Sequence, residues 1–143
     1  MLALECYNES STVKDRGSMM IEYADIVKAE LIENNISLCV GCDSRQSHNR
    51  GFAAVKERVI HYSRKCATRS TLHGFLHEVG HIVKGHEKGC GLKRWEREQA
   101  AERYATESLR TYGISVPRKS VQLGKKYVAR WKSFGKKISY ALS

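Results

Sequence analysis

The pentapeptide His-Glu-Val-Gly-His at positions 77–81 is the feature that most restricts the fold of this chain. It lies in a segment whose apolar residues recur at helical spacing between Leu72 and Val83. Histidines four residues apart lie one above the other on a helix, so both imidazoles can reach a single metal ion. The sequence therefore predicts a helix with His77 and His81 on one face and the carboxylate of Glu78 beside them.

The third ligand of such a site is expected to come from a carboxylate. A catalytic zinc ion has three protein ligands and one open position. No histidine follows His86, which lies just after the predicted end of the helix and close to His81 in sequence. Glu98 is the best candidate, because it lies on the next predicted helix and is followed on nearly the same face by the small residues Ala101 and Ala105.

A second acidic residue of that helix is expected to support the ligands. Glu102 lies one turn after Glu98, where it could hydrogen-bond a ligand histidine without binding the metal itself. The sequence thus predicts one Zn²⁺ ion held by His77, His81 and Glu98, with Glu102 behind the ligands. A solvent-facing helix on which these residues fall together by accident is the alternative.

The remaining pattern indicates a single α+β domain, which suits a chain of 143 residues. Ser18 is a plausible N-cap of the first helix, Thr68 or Ser70 of the motif helix, and Gly85 a plausible stop. We expect helices at about 18–33, 68–84, 93–112 and 120–138, a strand at 36–40, a polar loop at 41–50, and a hairpin of strands 51–55 and 58–62. Residues 1–17 are expected to be a loose arm, 18–113 the domain, and 114–143 a basic helical segment.

The motif residues extend beyond the pentapeptide. They comprise His77 to His81, then Gly85-His86, then Glu98-x-x-Ala101-Glu102-x-Tyr104-Ala105. This combination resembles the ImmA/IrrE metallopeptidases, gluzincin-like enzymes encoded in mobile elements and stress regulons, over roughly residues 51–109. The chain departs from the usual pattern at Glu102, where Asp or Asn is typical, and at Tyr104, where Phe is typical.

The resemblance implies a minimal zincin-like fold, with a small antiparallel or mixed sheet packed on the motif helix and on a following helix that bears Glu98. It also implies a zinc endopeptidase that cleaves a regulatory protein, such as a helix-turn-helix repressor of a phage or mobile element. Glu78 would act as the base that activates water. The 58–62 strand is expected to pair with extended substrate, and His86, Tyr62 and Tyr104 are candidates for oxyanion or substrate contacts.

The charge of the chain is concentrated near its C-terminal end. The net charge is +10, yet all 15 acidic residues precede Arg110, and the segment from Arg110 to Ser143 holds nine basic residues. The predicted last helix carries Tyr127, Trp131 and Phe134 among its basic residues. Its expected partner-facing residues are Lys125, Lys126, Arg130, Lys136 and Lys137. Two interpretations stay open. In one, this segment contacts nucleic acid or a protein partner, and the chain is a zinc-stabilised binding module without peptidase activity. In the other, the aromatic residues pack on the core and the charged side chains are solvated.

Cysteine content and hydropathy give expectations about the compartment. Five cysteines are an odd number in a chain without an evident export signal, which favours reduced thiols over a disulfide framework. Cys39 and Cys42 form one Cys-x-x-Cys pair, too few ligands for a structural zinc site of their own. No apolar run approaches the length of a membrane span, so we expect a cytoplasmic protein that does not contact membranes.

Overall fold

The computed structural model describes residues 12–14, 20–40, 51–62, 65–87 and 89–142, and of 12–14, 20, 21 and 135–142 only the backbone. Within these ranges helices and a small sheet share one chain, which confirms the α+β class. The elements are β1 (Thr12–Lys14), β2 (Met20–Glu22), α1 (Tyr23–Glu33), β3 (Ser37–Val40), β4 (Gly51–Ala54), β5 (Val59–Tyr62), α2 (Arg69–Val83), α3 (Arg94–Thr111) and α4 (Arg118–Leu142).

The mixed sheet has the order β3–β5–β4. Strand β5 pairs in parallel with β3 and antiparallel with β4, so Ile60 lies between Leu38 and Ala53. Ile60 and Tyr62 are buried, as expected for alternate residues of a strand with one face on the core. The predicted hairpin of residues 51–62 is confirmed, and among the described residues no strand pairs with the other side of β4.

Two expectations for the start of the chain are wrong. Residues 12–14 were expected in a loose arm, but they form β1, which pairs antiparallel with β2. The first helix begins at Tyr23 and not after Ser18, because Met20–Glu22 is extended and its backbone pairs with β1 instead of starting helical turns. The other residues of 1–17, Ser18 itself and the predicted polar loop 41–50 lie outside the described residues.

Helix α2 begins at a cap that the sequence predicts. The hydroxyl of Thr68 accepts a hydrogen bond from the Thr71 backbone N–H, and the Thr71 hydroxyl accepts one from the Thr68 N–H. Gly85 follows the last turn with φ +66, the left-handed conformation that glycine adopts without strain. Between these ends, one face of α2 packs into the core through Leu72, Phe75, Leu76, Val79 and Ile82, all buried.

Helix α3 lies very close to α2. A Cβ atom added to Gly80 would lie 3.1 Å from the Cα of Ala101, tighter than ordinary packing. Ala101 and Ala105 are completely buried, which confirms that their small side chains allow the two helices to approach. Because Glu98 is one turn before Ala101, this close packing brings its carboxylate toward the histidines of α2.

Helix α4 packs along α3 in the opposite direction. Gly124 lies against the Glu102 side chain, whereas later in α4 the ring of Trp131 lies under the Arg94 guanidinium at 3.6 Å. Residue numbers therefore increase along α4 in the direction in which they decrease along α3, so the two helices are antiparallel. The helix is longer at both ends than the predicted 120–138, because Pro117 precedes its first turn directly and the glycines within it do not interrupt it.

The thiols of the described residues are in two states. Cys66 and Cys90 are reduced thiols, whereas Cys39 in β3 is disulfide-bonded. The expectation of reduced thiols is therefore wrong for Cys39, since an odd total of cysteines still allows one pair to form. No helix among the described residues has the length and apolar character that a membrane crossing requires.

Candidate metal centre

Three side chains from α2 and α3 converge on one point. Nε2 of His77 lies 2.9 Å from Oε2 of Glu98 and 3.1 Å from Nε2 of His81. Nε2 of His81 lies 3.3 Å from the same Glu98 oxygen. A tetrahedral zinc ion with bonds of about 2.0–2.1 Å places neighbouring ligand atoms roughly 3.3–3.4 Å apart. The three atoms thus form a triangle of nearly the size that one metal ion requires, and the cluster can hold a metal ion.

The far nitrogen of each histidine is also held. Nδ1 of His77 lies 2.7 Å from Oε1 of Glu102, so it carries a hydrogen, and Nε2 is the nitrogen that a metal ion would bind once it is deprotonated. Nδ1 of His81 lies 3.0 Å from Nδ1 of His86. Burial, together with the nearby His81 and Arg97, lowers the pKa of His86 to about 4, so its neutral ring can accept that hydrogen. Both imidazoles therefore present Nε2 to the same point.

The electrostatics of the cluster favour a cation at its centre. Burial alone would lower the pKa of His77, but the hydrogen bonds with Glu102 and Glu98 outweigh it and raise this pKa to about 10. Burial alone would raise the pKa of Glu98, but His77 and His81 hold it far below its ordinary value. Glu98 thus stays ionised, and the proton that it helps to hold on His77 is a positive charge that a divalent ion would replace on binding.

Glu78 lies beside this triangle and is held by the sheet. Its carboxylate accepts a hydrogen bond from the backbone N–H of Ala53 in β4. Burial raises the pKa of Glu78, and the nearby His77 and His81 act against that increase. A carboxylate beside a metal site can take a proton from water and release it later to a leaving group.

A cleft of about 690 Å³ opens over the cluster. Its walls come from β4 and from helices α2, α3 and α4. The lining residues outside the cluster and its supports include Gly51, Phe52, Ala53, Val55, Arg94, Arg97, Ser120, Leu123, Gly124 and Tyr127. The expectation that the 58–62 strand pairs with substrate is wrong, because β5 has a neighbour on both sides. The strand that borders the cleft is β4.

Two of the three expected oxyanion or substrate contacts have other partners. The hydroxyl of Tyr62 donates to the Thr71 carbonyl at 2.7 Å and is buried. The hydroxyl of Tyr104 faces α1, where it donates to the Glu30 carboxylate at 3.4 Å. The third, His86, lies behind His81 as described above. Tyr62, Tyr104 and His86 thus hold Thr71, Glu30 and His81 respectively.

Comparison with known proteins yields no relatives. No family model matches the sequence, and no curated protein or solved structure is similar to it. The resemblance to the ImmA/IrrE metallopeptidases therefore stays a prediction that depends on the motif residues of this chain alone.

The sequence interpretation missed the part of the cleft that α4 supplies. Ser120, Leu123, Gly124 and Tyr127 line it, and their spacing of three or four residues is that of one helix face. The spacing is present in the sequence, but it does not show that this face of α4 borders the cleft, and the basic residues predict a binding surface on the opposite face of the helix. Among the expected partner-facing residues, the side chains of Lys125, Lys126 and Arg130 are exposed; those of Lys136 and Lys137 lie outside the described residues.

Proposed function

We propose that this chain is a zinc-dependent endopeptidase. The observation that carries the proposal is the triangle of His77, His81 and Glu98 ligand atoms, with sides of 2.9–3.3 Å, beside the half-buried carboxylate of Glu78. Two imidazoles and one carboxylate form the ligand set of several catalytic zinc sites. Imidazole ligands disfavour Ca²⁺ and Mg²⁺, which prefer oxygen ligands.

The chemistry would take place beside the three candidate ligands. A zinc ion held by His77, His81 and Glu98 would lower the pKa of water and polarise a carbonyl group. Glu78 would take the proton from that water and later deliver it to the leaving amine nitrogen. The Ala53 N–H fixes the direction of the Glu78 carboxylate, so the base is already oriented before substrate arrives.

The cleft supports an extended peptide as substrate. Strand β4 is the outer strand of the sheet beside the cleft, and an extended chain can add to such an edge through backbone hydrogen bonds. Backbone pairing is independent of side chains, so selectivity would depend on the apolar Phe52, Val55 and Leu123 and on the cationic Arg94 and Arg97. We propose a regulatory protein as the substrate, such as a helix-turn-helix repressor of a mobile element, from the resemblance of the motif.

Co-expression with candidate repressors tests this function. The wild-type chain should produce a discrete repressor fragment, and Glu78→Gln should produce none while it binds zinc as wild type does. Glu57→Gln, a change at an exposed glutamate of the β4–β5 turn, is the matched control and should cleave normally. Fragments with both the wild type and Glu78→Gln would refute the role of Glu78, and no fragment from any repressor with zinc-loaded protein would contradict a peptidase of this substrate class.

A binding module is a second candidate, and the surface of α4 is the observation that favours it. Lys125, Lys126 and Arg130 are exposed, as are the apolar Leu123 and Phe134, which are 62% and 51% accessible. Nucleic-acid binding through this surface should weaken steeply as salt increases, because phosphate contacts release counterions. Unchanged electrophoretic mobility of DNA and RNA at low salt would remove this candidate.

A further inference from the structure

The antiparallel register of α3 and α4 places one tyrosine opposite the metal ligands. Glu102 of α3 meets Gly124 of α4, and Arg94 of α3 meets Trp131. Glu98 lies halfway between Glu102 and Arg94 on one face of α3, because the three residues are four apart. The residue halfway between Gly124 and Trp131 that shares their face is Tyr127, which lines the cleft together with His77, His81 and Glu98.

The hydroxyl of Tyr127 is held with its hydrogen free to donate. Nη2 of Arg94 lies 3.2 Å from this hydroxyl oxygen. A guanidinium group has no acceptor, so Arg94 must donate and the tyrosine oxygen must accept. Among the described residues, no acceptor receives the Tyr127 hydrogen. A cationic donor on a hydroxyl oxygen also polarises the O–H bond and makes it a stronger donor.

The ring of Tyr127 is positioned by its neighbours. Trp131 packs edge to face against it, with ring centroids 6.2 Å apart. The Arg94 guanidinium in turn stacks on the Trp131 ring, 3.6 Å from its centroid. Arg94 and Trp131 thus hold this hydroxyl at the wall of the cleft that α4 supplies. The hydroxyls of Tyr62 and Tyr104, in contrast, donate to Thr71 and Glu30.

We propose that Tyr127 donates the hydrogen bond that stabilises the oxyanion during peptide hydrolysis, an inference that rests on the proposed function. When the water oxygen bonds to the carbonyl carbon, Glu78 takes the water proton and the carbonyl π electrons move to oxygen. That oxygen accepts the Tyr127 hydrogen bond, and Tyr127 keeps its proton. As the C–N bond breaks, the electron pair returns to re-form the carbonyl, and the amine nitrogen takes the proton from Glu78.

Kinetics of Tyr127→Phe test this assignment. With the best-cleaved member of a fluorescence-quenched peptide library, the variant should lose about 10²–10³-fold in kcat, the usual effect of removing one oxyanion donor. KM should change by less than about threefold, because the substrate carbonyl develops little charge before the transition state. Tyr104→Phe is the matched control, since its hydroxyl faces Glu30, and should keep wild-type kcat.

Binding gives a readout that does not depend on turnover. A phosphinic peptide, whose anionic oxygens mimic the oxyanion, should quench Trp131 fluorescence on the zinc-loaded wild type and bind Tyr127→Phe about 10²-fold less tightly. Zinc content and melting temperature should not change. Wild-type kcat or phosphinic affinity in Tyr127→Phe would overturn the assignment while leaving the peptidase intact, and so would a loss of zinc in the variant. A wild type that cleaves no library peptide, with zinc bound, would overturn the proposed function and this inference together.

Discussion

Oε1 of Glu102 lies 2.7 Å from Nδ1 of His77, and the same carboxylate packs against Gly124 of α4. One side chain therefore touches both a candidate metal ligand and the backbone of the C-terminal helix. The predicted division at residue 114 separates segments that share this contact. A change in the Glu102 side chain and a change at Gly124 are both expected to alter metal binding. The two changes can be tested separately.

Replacing Glu102 by Gln should weaken zinc binding about tenfold to a hundredfold, the usual effect of losing an outer partner of a ligand histidine. The amide keeps the size of the side chain but lacks the charge that orients the His77 imidazole. Competition with a chromogenic chelator measures the Kd. Glu107→Gln, at an exposed position of the same helix, should keep wild-type affinity; equal affinity in both variants would contradict the orienting role.

Replacing Gly124 by Ala should weaken zinc binding without lowering the stability of the metal-free protein. The new Cβ would overlap the Glu102 carboxylate, which must turn away from His77. Helix propensity alone favours Ala over Gly by about 1 kcal/mol, so stability should hold or rise. Chelator competition and urea denaturation measure the two quantities, with Gln122→Ala as the exposed control on α4. A fall in both would indicate a disrupted α3–α4 interface instead.

Removal of zinc should lower the melting temperature. A ligand that binds only the folded state stabilises it by about 2.7 kcal/mol at a concentration a hundred times Kd. Calorimetry with and without a chelator measures the difference, and titration should reach one ion per chain. His77→Ala removes one corner of the triangle and should melt at the same temperature in both conditions. A chelator effect of wild-type size in that variant would place the metal elsewhere.

Glu30 predicts a pH dependence of stability away from the metal. Burial raises the pKa of Glu30, although hydrogen bonds from Asn34 and Tyr104 act against it. Because its folded pKa exceeds the unfolded one, the protonated form contributes stability that is fully present below the unfolded pKa and is lost as pH rises through the folded pKa. Glu30→Gln should therefore gain stability relative to wild type as the pH rises from about 4, the ordinary range of a glutamate, through the raised pKa of Glu30.

Urea denaturation across this range measures the gain, and Glu57→Gln, at an exposed position, serves as the control. A difference between Glu30→Gln and wild type that stays constant with pH would show that this carboxyl titrates alike in both states. If the stability difference instead fell as the pH rose, the hydrogen bonds to Glu30 would have a larger effect on its pKa than its burial has.

The motif helix was predictable because its signals are local. The reciprocal Thr68 and Thr71 hydrogen bonds, the apolar spacing and Gly85 all act within a few residues of one another. Glu98 could be placed against His77 because small residues at Gly80, Ala101 and Ala105 permit close helix packing, and small residues are readable in a sequence.

The features that sequence reasoning missed depend on contacts between distant segments. The pairing of β1 with β2 overrides the helical pattern before Tyr23, and no local signal reports it. The central position of β5 follows from its parallel pairing with β3, which the hairpin alone does not specify. The placement of Tyr127 requires the register of α3 against α4, which depends on how Gly124 meets Glu102.

The hydrogen bond from Ala53 to Glu78 also has a consequence for where a bound chain is cut. Backbone groups of β4 that face away from β5 recur at every second residue; because the Ala53 N–H is donated to Glu78, those left for a peptide belong to Gly51 and to the Ala53 carbonyl. A peptide on this edge can shift and keep its hydrogen bonds only in steps of two residues. Minor products from an unstructured substrate should thus end two residues from the main product, a spacing that mass spectrometry would resolve.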